Sequence, residues 1–129
     1  GGTPHTDETT GLAFSPSNAN FVVRIGAYGW GKADGGVGCY SLNNGRSWTP
    51  FATQPPGAWG GRVAVAKGRN GSEAIVWLPA DGMKPLASHD RGRTWREGAG
   101  VPAGTLGGTR IWDWNQPLVS DRVLNDTFY

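Results

Sequence analysis

Ser88-His89-Asp90-Arg91-Gly92-Arg93-Thr94-Trp95 repeats, 47 residues on, the octet Ser41-Leu42-Asn43-Asn44-Gly45-Arg46-Ser47-Trp48. The shared pattern is S-x-(D/N)-x-G-x-(S/T)-W, and self-similarity at such a period marks a stacked repeat architecture. Each position has a physical task. An Asp or Asn side chain (Asn43, Asp90) can accept hydrogen bonds from backbone N–H groups two residues on and close a turn. Gly45 and Gly92 can take φ > 0 at no steric cost. Ser47 and Thr94 offer a hydroxyl to local backbone, and the Trp48 and Trp95 rings fold over the turn as apolar plugs. Each octet follows a short β-type run (Val37-Gly38-Cys39-Tyr40; Pro85-Leu86-Ala87) and precedes another (Thr49-Pro50-Phe51; Arg96-Glu97), so it reads as a hairpin connection. Ser41, Asn43, Gly45, Trp48 and their partners Ser88, Asp90, Gly92, Trp95 are therefore structural. A calcium loop would need several more oxygen ligands than one Asp or Asn supplies.

The octets resemble the Asp-box (BNR, sialidase-like) turn, which joins the third and fourth strands of β-propeller blades. Asn43 departs from the usual Asp in the first copy. The resemblance implies an all-β chain built from blades of four antiparallel strands.

Composition agrees with many short strands. The 129 residues include 22 Gly, 9 Pro and 7 Trp, and only 17% are charged. Such a length allows one modest domain with a limited core. No segment has helical apolar periodicity, and none approaches the ~20 apolar residues of a membrane span. The net charge of +2 is spread along the chain, which gives no nucleic-acid footprint. The single Cys39 excludes an internal disulfide and reads as a buried, inert thiol. The first residues lack the basic and apolar regions of an export signal.

The apolar runs fall into sets of four. The first set is Gly11-Leu12-Ala13-Phe14, then Phe21-Val22-Val23-Arg24-Ile25, expected to be buried on both faces, then residues 37–40 and 49–51 around the first octet. The second set is Arg62-Val63-Ala64-Val65-Ala66, Glu73-Ala74-Ile75-Val76-Trp77-Leu78, residues 85–87 and Arg96-Glu97, with Trp77 expected in the core. A third set starts at Pro117-Leu118-Val119-Ser120 and reaches Phe128-Tyr129. We therefore expect blades over about 10–52 and about 61–98, and part of a third over about 116–129. Propellers close with about four to eight blades. Two and a half would leave strand edges open, so the expectation is a piece of a larger propeller or a module that self-associates into one.

Runs outside the octets resemble one family more closely. Thr10-Gly11-Leu12-Ala13-Phe14, Asn20-Phe21-Val22-Val23-Arg24-Ile25-Gly26, Trp48-Thr49-Pro50-Phe51, Gly60-Gly61-Arg62-Val63-Ala64-Val65 and Ala74-Ile75-Val76-Trp77-Leu78-Pro79 are similar, in order, to segments of the xyloglucan-cleaving glycoside hydrolases. So are Gly100-Val101-Pro102-Ala103-Gly104 and Ser120-Asp121-Arg122-Val123 with Asn125 and Phe128-Tyr129. The resemblance implies two facing seven-bladed propellers, inverting cleavage of β-1,4-glucan by two Asp residues, an extracellular setting and no cofactor. One of those acids sits in a Gly-Asp-x-Gly-Gly-Phe-like run upstream of the matched segment, and the other in the opposite propeller. Neither has a counterpart here, so no catalytic residue is assigned.

Inverting hydrolysis needs two carboxyl groups ~6.5–9.5 Å apart. Of the carboxylates, Asp90 is accounted for by its turn and Asp121 by a cap or a pairing with Arg122. Asp7, Glu8 and Asp113 lie in loop contexts that could face a cleft. His5 and His89 are the only histidines; His89 falls at a variable octet position and reads as solvent-facing. No Cys/His spacing suits zinc, and no phosphate-binding glycine loop occurs.

The remaining aromatics follow from parity. In an up-and-down blade, the first-to-second and third-to-fourth turns emerge at one end, and both octets belong there. Tyr28 and Trp30 lie in a second-to-third loop, and Trp59, Trp112 and Trp114 lie in links between sets, so all five belong at the other end. Aromatic rings among Lys32, Asp34, Arg110, Asp113, Asn115 and Gln116 suit stacking on sugar rings with hydrogen bonds to hydroxyls. The expected partner is a xyloglucan-like polysaccharide, contacted without catalysis. The competing expectation is a freestanding binding module that closes a ring by oligomerising.

Overall fold

A computed structural model of the chain describes residues 8–27, 36–55, 62–78, 84–99 and 118–129. Among them are eight strands and no helix: β1 Glu8–Phe14, β2 Val22–Ala27, β3 Gly36–Ser41, β4 Thr49–Pro50, β5 Arg62–Lys67, β6 Glu73–Leu78, β7 Leu86–Ser88 and β8 Arg96–Glu97. They form two four-stranded sheets in the orders β1-β2-β3-β4 and β5-β6-β7-β8. Every described pairing within them is antiparallel. The fold is all-β, as the turn-rich composition and short apolar runs require.

Local chemistry sets the strand ends. Ser15 ends β1 because its hydroxyl accepts hydrogen bonds from the Ser17 and Asn18 amides at 3.3 and 3.1 Å, a side-chain turn that competes with further pairing. After β5, the Gly68 amide donates to Ser72 O, and Gly71 takes φ 75°, closing a tight turn into β6. β4 and β8 are two residues each, and short edge strands limit unwanted pairing.

The core lies between the sheets. Phe21, Val23, Ile25 and Phe51 of the first unit meet Val63, Val65, Ile75 and Trp77 of the second, with Ala13, Tyr40 and Trp95 packed on the margin. Strand alternation produces this set: Val23 and Ile25 point into the gap, while Arg24 between them is half-buried on the other face. Burying one such apolar side chain is worth about 1.5–3 kcal/mol. Trp77 is fully buried, as its place inside an apolar strand predicts.

Phe51 plugs the gap. Its ring lies 5.2 Å from Trp95, 6.3 Å from Trp77 and 6.4 Å from Tyr40, centroid to centroid. It is placed just past the end of β4 by its amide, which donates to Gly38 O at 3.0 Å. Gln54 holds it there in a way that sequence reading overlooks. The Gln54 carboxamide accepts from Gly38 N at 2.8 Å and donates to Gly38 O at 3.0 Å and Phe51 O at 3.2 Å. A side-chain amide thus continues the β3–β4 ladder where the backbone leaves it. The second sheet repeats the Phe51–Gly38 backbone bond, with Gly98 N donating to Pro85 O at 2.7 Å.

Residues 118–129 form a narrow antiparallel pair. Ser120 bridges Phe128, Val119 and Tyr129 exchange reciprocal 2.9 Å hydrogen bonds, and Asp121 N donates to Thr127 O.

Candidate functional site

Both octets are β3–β4-type connections, and their atoms repeat. Ser41 Oγ accepts from the Asn43 and Gly45 amides at 3.2 and 2.8 Å, and donates to Asn43 Oδ1 at 2.9 Å. Ser88 Oγ does the same with Asp90 N at 3.4 Å, Gly92 N at 2.8 Å and Asp90 Oδ1 at 2.9 Å. Asn43 Oδ1 then accepts from Ser47 N at 2.9 Å, and Asp90 Oδ1 from Arg93 N at 3.1 Å and Thr94 N at 2.9 Å.

This geometry corrects two local expectations. The Asn43 side chain caps the amide four residues on and Asp90 those three and four residues on, and the two-residue reach belongs to the serine. The hydroxyls of Ser47 and Thr94 bond to that same side chain rather than to backbone. Their roles also invert between copies: Asn43 Nδ2 donates to Ser47 Oγ at 2.8 Å, whereas Thr94 Oγ1 donates to Asp90 Oδ2 at 2.7 Å. An amide and a carboxylate can serve the same turn because a hydroxyl both donates and accepts.

The backbone is left-handed at two successive residues in each turn: Asn44 and Gly45 at φ 55° and 82°, Arg91 and Gly92 at 59° and 77°. The octet pattern by itself points only to the glycines. The two tryptophans are half-buried. Trp95 stands edge-on to Phe51 and Trp77, and its Nε1–H donates to Thr53 O at 2.7 Å. Thr53 N in turn donates to Gly92 O at 2.9 Å. The second octet is thereby bonded to the segment leaving the first sheet.

Charge at the turn has a measurable consequence. Burial pushes the Asp90 carboxyl upward, but hydrogen bonds from Thr94, Ser88 and Arg93 outweigh it and hold its pKa at about 2. The unfolded value is about 3.9. A carboxyl with a depressed folded pKa contributes stability above its unfolded pKa and loses it as pH falls through the folded one. The Asp90 contribution is therefore fully present above pH ~4 and disappears towards pH ~2. Asp90→Asn copies the first octet without the charge. The difference in urea midpoint between wild type and this variant should shrink as pH falls from 4 to 2. A difference that stays constant over that window would refute the assignment.

Of the other carboxylates, Glu73, Glu97, Asp121 and Asp126 have partners, and Glu8, expected in a loop, is instead the first residue of β1. Glu73 accepts from Asn18 Nδ2 at 3.0 Å, and Glu97 pairs with Lys84 at 2.8 Å. Asp121 caps the Val123 and Leu124 amides at 2.7 and 2.8 Å and accepts from Tyr129 OH at 2.9 Å, the capping role expected from sequence. These bonds hold its carboxyl below the usual range. Asp126 contacts Arg69 and His89, so the octet histidine is exposed yet partnered. Cys39 is buried, and desolvation outweighs the lowering influence of Arg24 to push its thiol up to about 11, a poor nucleophile. Among the described residues, no three of His, Cys, Asp and Glu gather to hold a metal.

The aromatic residues expected to meet sugar, Tyr28, Trp30, Trp59, Trp112 and Trp114, lie outside the described residues, as do His5, Asp7, Asp34, Asp81 and Asp113. The described structure does locate the octet end. Asn44 N, in the first octet, donates to Asn20 O in the β1–β2 turn at 3.0 Å, so the octet and the first-to-second turn share one end, as parity requires.

No protein-family model matches this chain, and no curated protein does. Solved structures do. The GH74 enzyme of Niastella koreensis is similar over 69% of this chain and 11% of its own, with a TM-score of 0.54 and 24% identity, a likeness of fold. The GH74 xyloglucanase of Xanthomonas campestris is similar over 71% of this chain and 13% of its own, with a TM-score of 0.58 and 26% identity. The chain thus spans a small part of either enzyme. Its four-stranded antiparallel sheets are of the β-propeller blade type found in these neighbours, and the sequence resemblance falls on the same group of enzymes.

Proposed function

We propose that this chain is a segment of an Asp-box β-propeller of the xyloglucanase type, and that it contacts a β-1,4-glucan without cleaving it. The observation that carries this reading is the pair of four-stranded sheets, both turned by the same octet, in a chain similar to GH74 enzymes over about 70% of its length. Two complete blades over about 10–52 and 61–98, with part of a third over about 116–129, are the units of that propeller. The glycan face is the end opposite the octets, carried by Tyr28, Trp30, Trp59, Trp112 and Trp114. Absence of catalysis is supported by Glu73, Asp90, Glu97, Asp121 and Asp126, each of which has a structural partner. The whole-enzyme expectation of extracellular glucan hydrolysis needs no cofactor.

Titration with xyloglucan oligosaccharides, followed by tryptophan fluorescence, tests the binding. Wild type should saturate, and the Trp30→Ala/Trp59→Ala/Trp112→Ala variant should bind about tenfold or more weakly, because each ring contributes stacking energy. Unchanged saturation in that variant would sink the aromatic assignment. Release of reducing ends by this chain alone would overturn the non-catalytic reading.

A second reading, self-association into a closed ring, is favoured by apolar exposure at both ends of the stack. Leu12 and Phe14 are exposed on β1, and Val119, Val123, Leu124 and Tyr129 on the C-terminal residues. Exposed apolar surface of this kind marks association. Sedimentation would separate the readings: one discrete oligomer supports ring closure, and a monomer excludes it.

A further inference from the structure

We propose that Asp126 is a polar clasp that docks residues 118–129 onto the second sheet, with Arg69 and His89 as its partners. The residue joins three pieces of chain that are distant in sequence. Its amide donates to Lys67 O, at the end of β5, at 3.1 Å. Its Oδ2 accepts from Arg69 N at 3.2 Å, with Arg69 Nε at 3.5 Å, in the β5–β6 turn. Its Oδ1 lies 3.0 Å from His89 Nε2, in the second octet. The carboxylate side chain is only 17% exposed, although Arg69 and His89 are largely in solvent. The remaining charged groups on these elements are Arg62 and Lys67 of β5 and Asp90, Arg91 and Arg93 of the second octet, and on its own segment Asp121 and Arg122; the Asp90 oxygens are taken by Ser88, Arg93 and Thr94. Asp121 does not compete for the donors, because its oxygens are occupied by Val123, Leu124 and Tyr129.

Backbone conformation points the same way. Asp126 has φ 56°, a region costly to most side chains and free to glycine. Gly45, Gly71 and Gly92 fill this region elsewhere in the chain, as do Asn44 and Arg91 in the octets. An Asp here carries a conformational cost that its carboxylate contacts offset.

The two junctions of the molecule are therefore built differently. Between the first and second sheets, the apolar Phe51 plug and Trp95 close the gap. The first octet has Leu42 where the second has His89, and the second sheet has Gly98 where the first has Phe51. With glycine in the plug position, the second sheet meets the C-terminal segment through a charge-assisted clasp.

Native-state hydrogen exchange on the full chain tests this. A two-stranded hairpin is marginal alone, so undocking should release the Val119 and Tyr129 amides. Asp126→Gly relieves the backbone cost but deletes the carboxylate, and should speed exchange of these two amides about tenfold. The β6 amides of Ile75 and Trp77 should be unchanged. Asp126→Asn, which tolerates the same φ, should give a smaller acceleration of the same amides. Unchanged or slower exchange in Asp126→Gly would mean that only turn conformation matters and would overturn the clasp. A uniform acceleration including Ile75 and Trp77 would also overturn it, as global destabilisation. In a cycle with His89→Ala, the double variant should show less than the sum of the single effects; strict additivity would remove His89 from the clasp.

Discussion

Gly92→Ala is expected to destabilise the chain by about 2–5 kcal/mol, combining ~1–2 kcal/mol for a left-handed alanine with ~1–3 kcal/mol for overpacking. Three glycines separate these causes. Gly45 has φ 82°, and a Cβ there would meet only the Trp48 ring, at 3.5 Å. Its replacement by alanine should show the backbone cost alone. At Gly38, where no positive φ applies, a Cβ would collide with the Phe51 ring and come within 2.9 Å of Trp77, so Gly38→Ala should show the steric cost alone. Gly92 has φ 77°, and its Cβ would run into Cβ, Cγ and Cδ1 of Phe51. It carries both. Urea denaturation of the three variants should rank Gly92→Ala as the most damaging, although the two octets are alike in sequence. Equal losses at Gly45 and Gly92 would show that the Phe51 contact has no energetic weight.

Phe51→Ala should cost about 3–5 kcal/mol, the usual range for truncating a buried aromatic. That is a large part of the ~5–15 kcal/mol that holds a typical domain together. The ring is buried and reaches both sheets, touching the surroundings of Tyr40, Trp77 and Trp95. Its loss would leave a cavity between the sheets, because the strands on either side are tied by ladder hydrogen bonds and cannot collapse freely. Tryptophan emission should change as well, since Trp77 and Trp95 stand 6.1 Å apart and both face Phe51. Combining Phe51→Ala with Gly92→Ala should cost less than the sum, because the ring that obstructs the new methyl group is gone. Full additivity would show that the Gly92 effect is purely backbone.

Much of the strand order could be read from residues. Alternating and continuous apolar runs locate β2, β5 and β6, because a strand buried against a second sheet must supply apolar side chains at short period. The octets locate the reversals before β4 and β8, because few residue types can hold two consecutive left-handed positions and cap the amides around them. Residues 118–129 read as the start of a third set, and they form a narrow antiparallel pair turned by the Asp121 cap. Gln54 and Asp126 stand out in neither pattern. A glutamine acting as ladder and an aspartate acting as clasp have no periodic signature, because their partners are distant in sequence: Gly38 lies 16 residues away, Arg69 57 and His89 37.

What this sequence determines by itself is local: where the chain extends, where it reverses, and which end of each sheet the octets occupy. Those properties depend on backbone preferences and on hydrogen bonds spanning about four residues, which a motif carries with it. Only the tertiary structure decided that the twin octets are unequal. Gly92 presses on Phe51 while Gly45 faces little, and Trp95, unlike its counterpart in the first octet, is bonded across to Thr53. The reason is packing. Two identical turns meet different neighbours once the sheets stack, and the neighbour supplies the ring or the void that sets the cost of each residue.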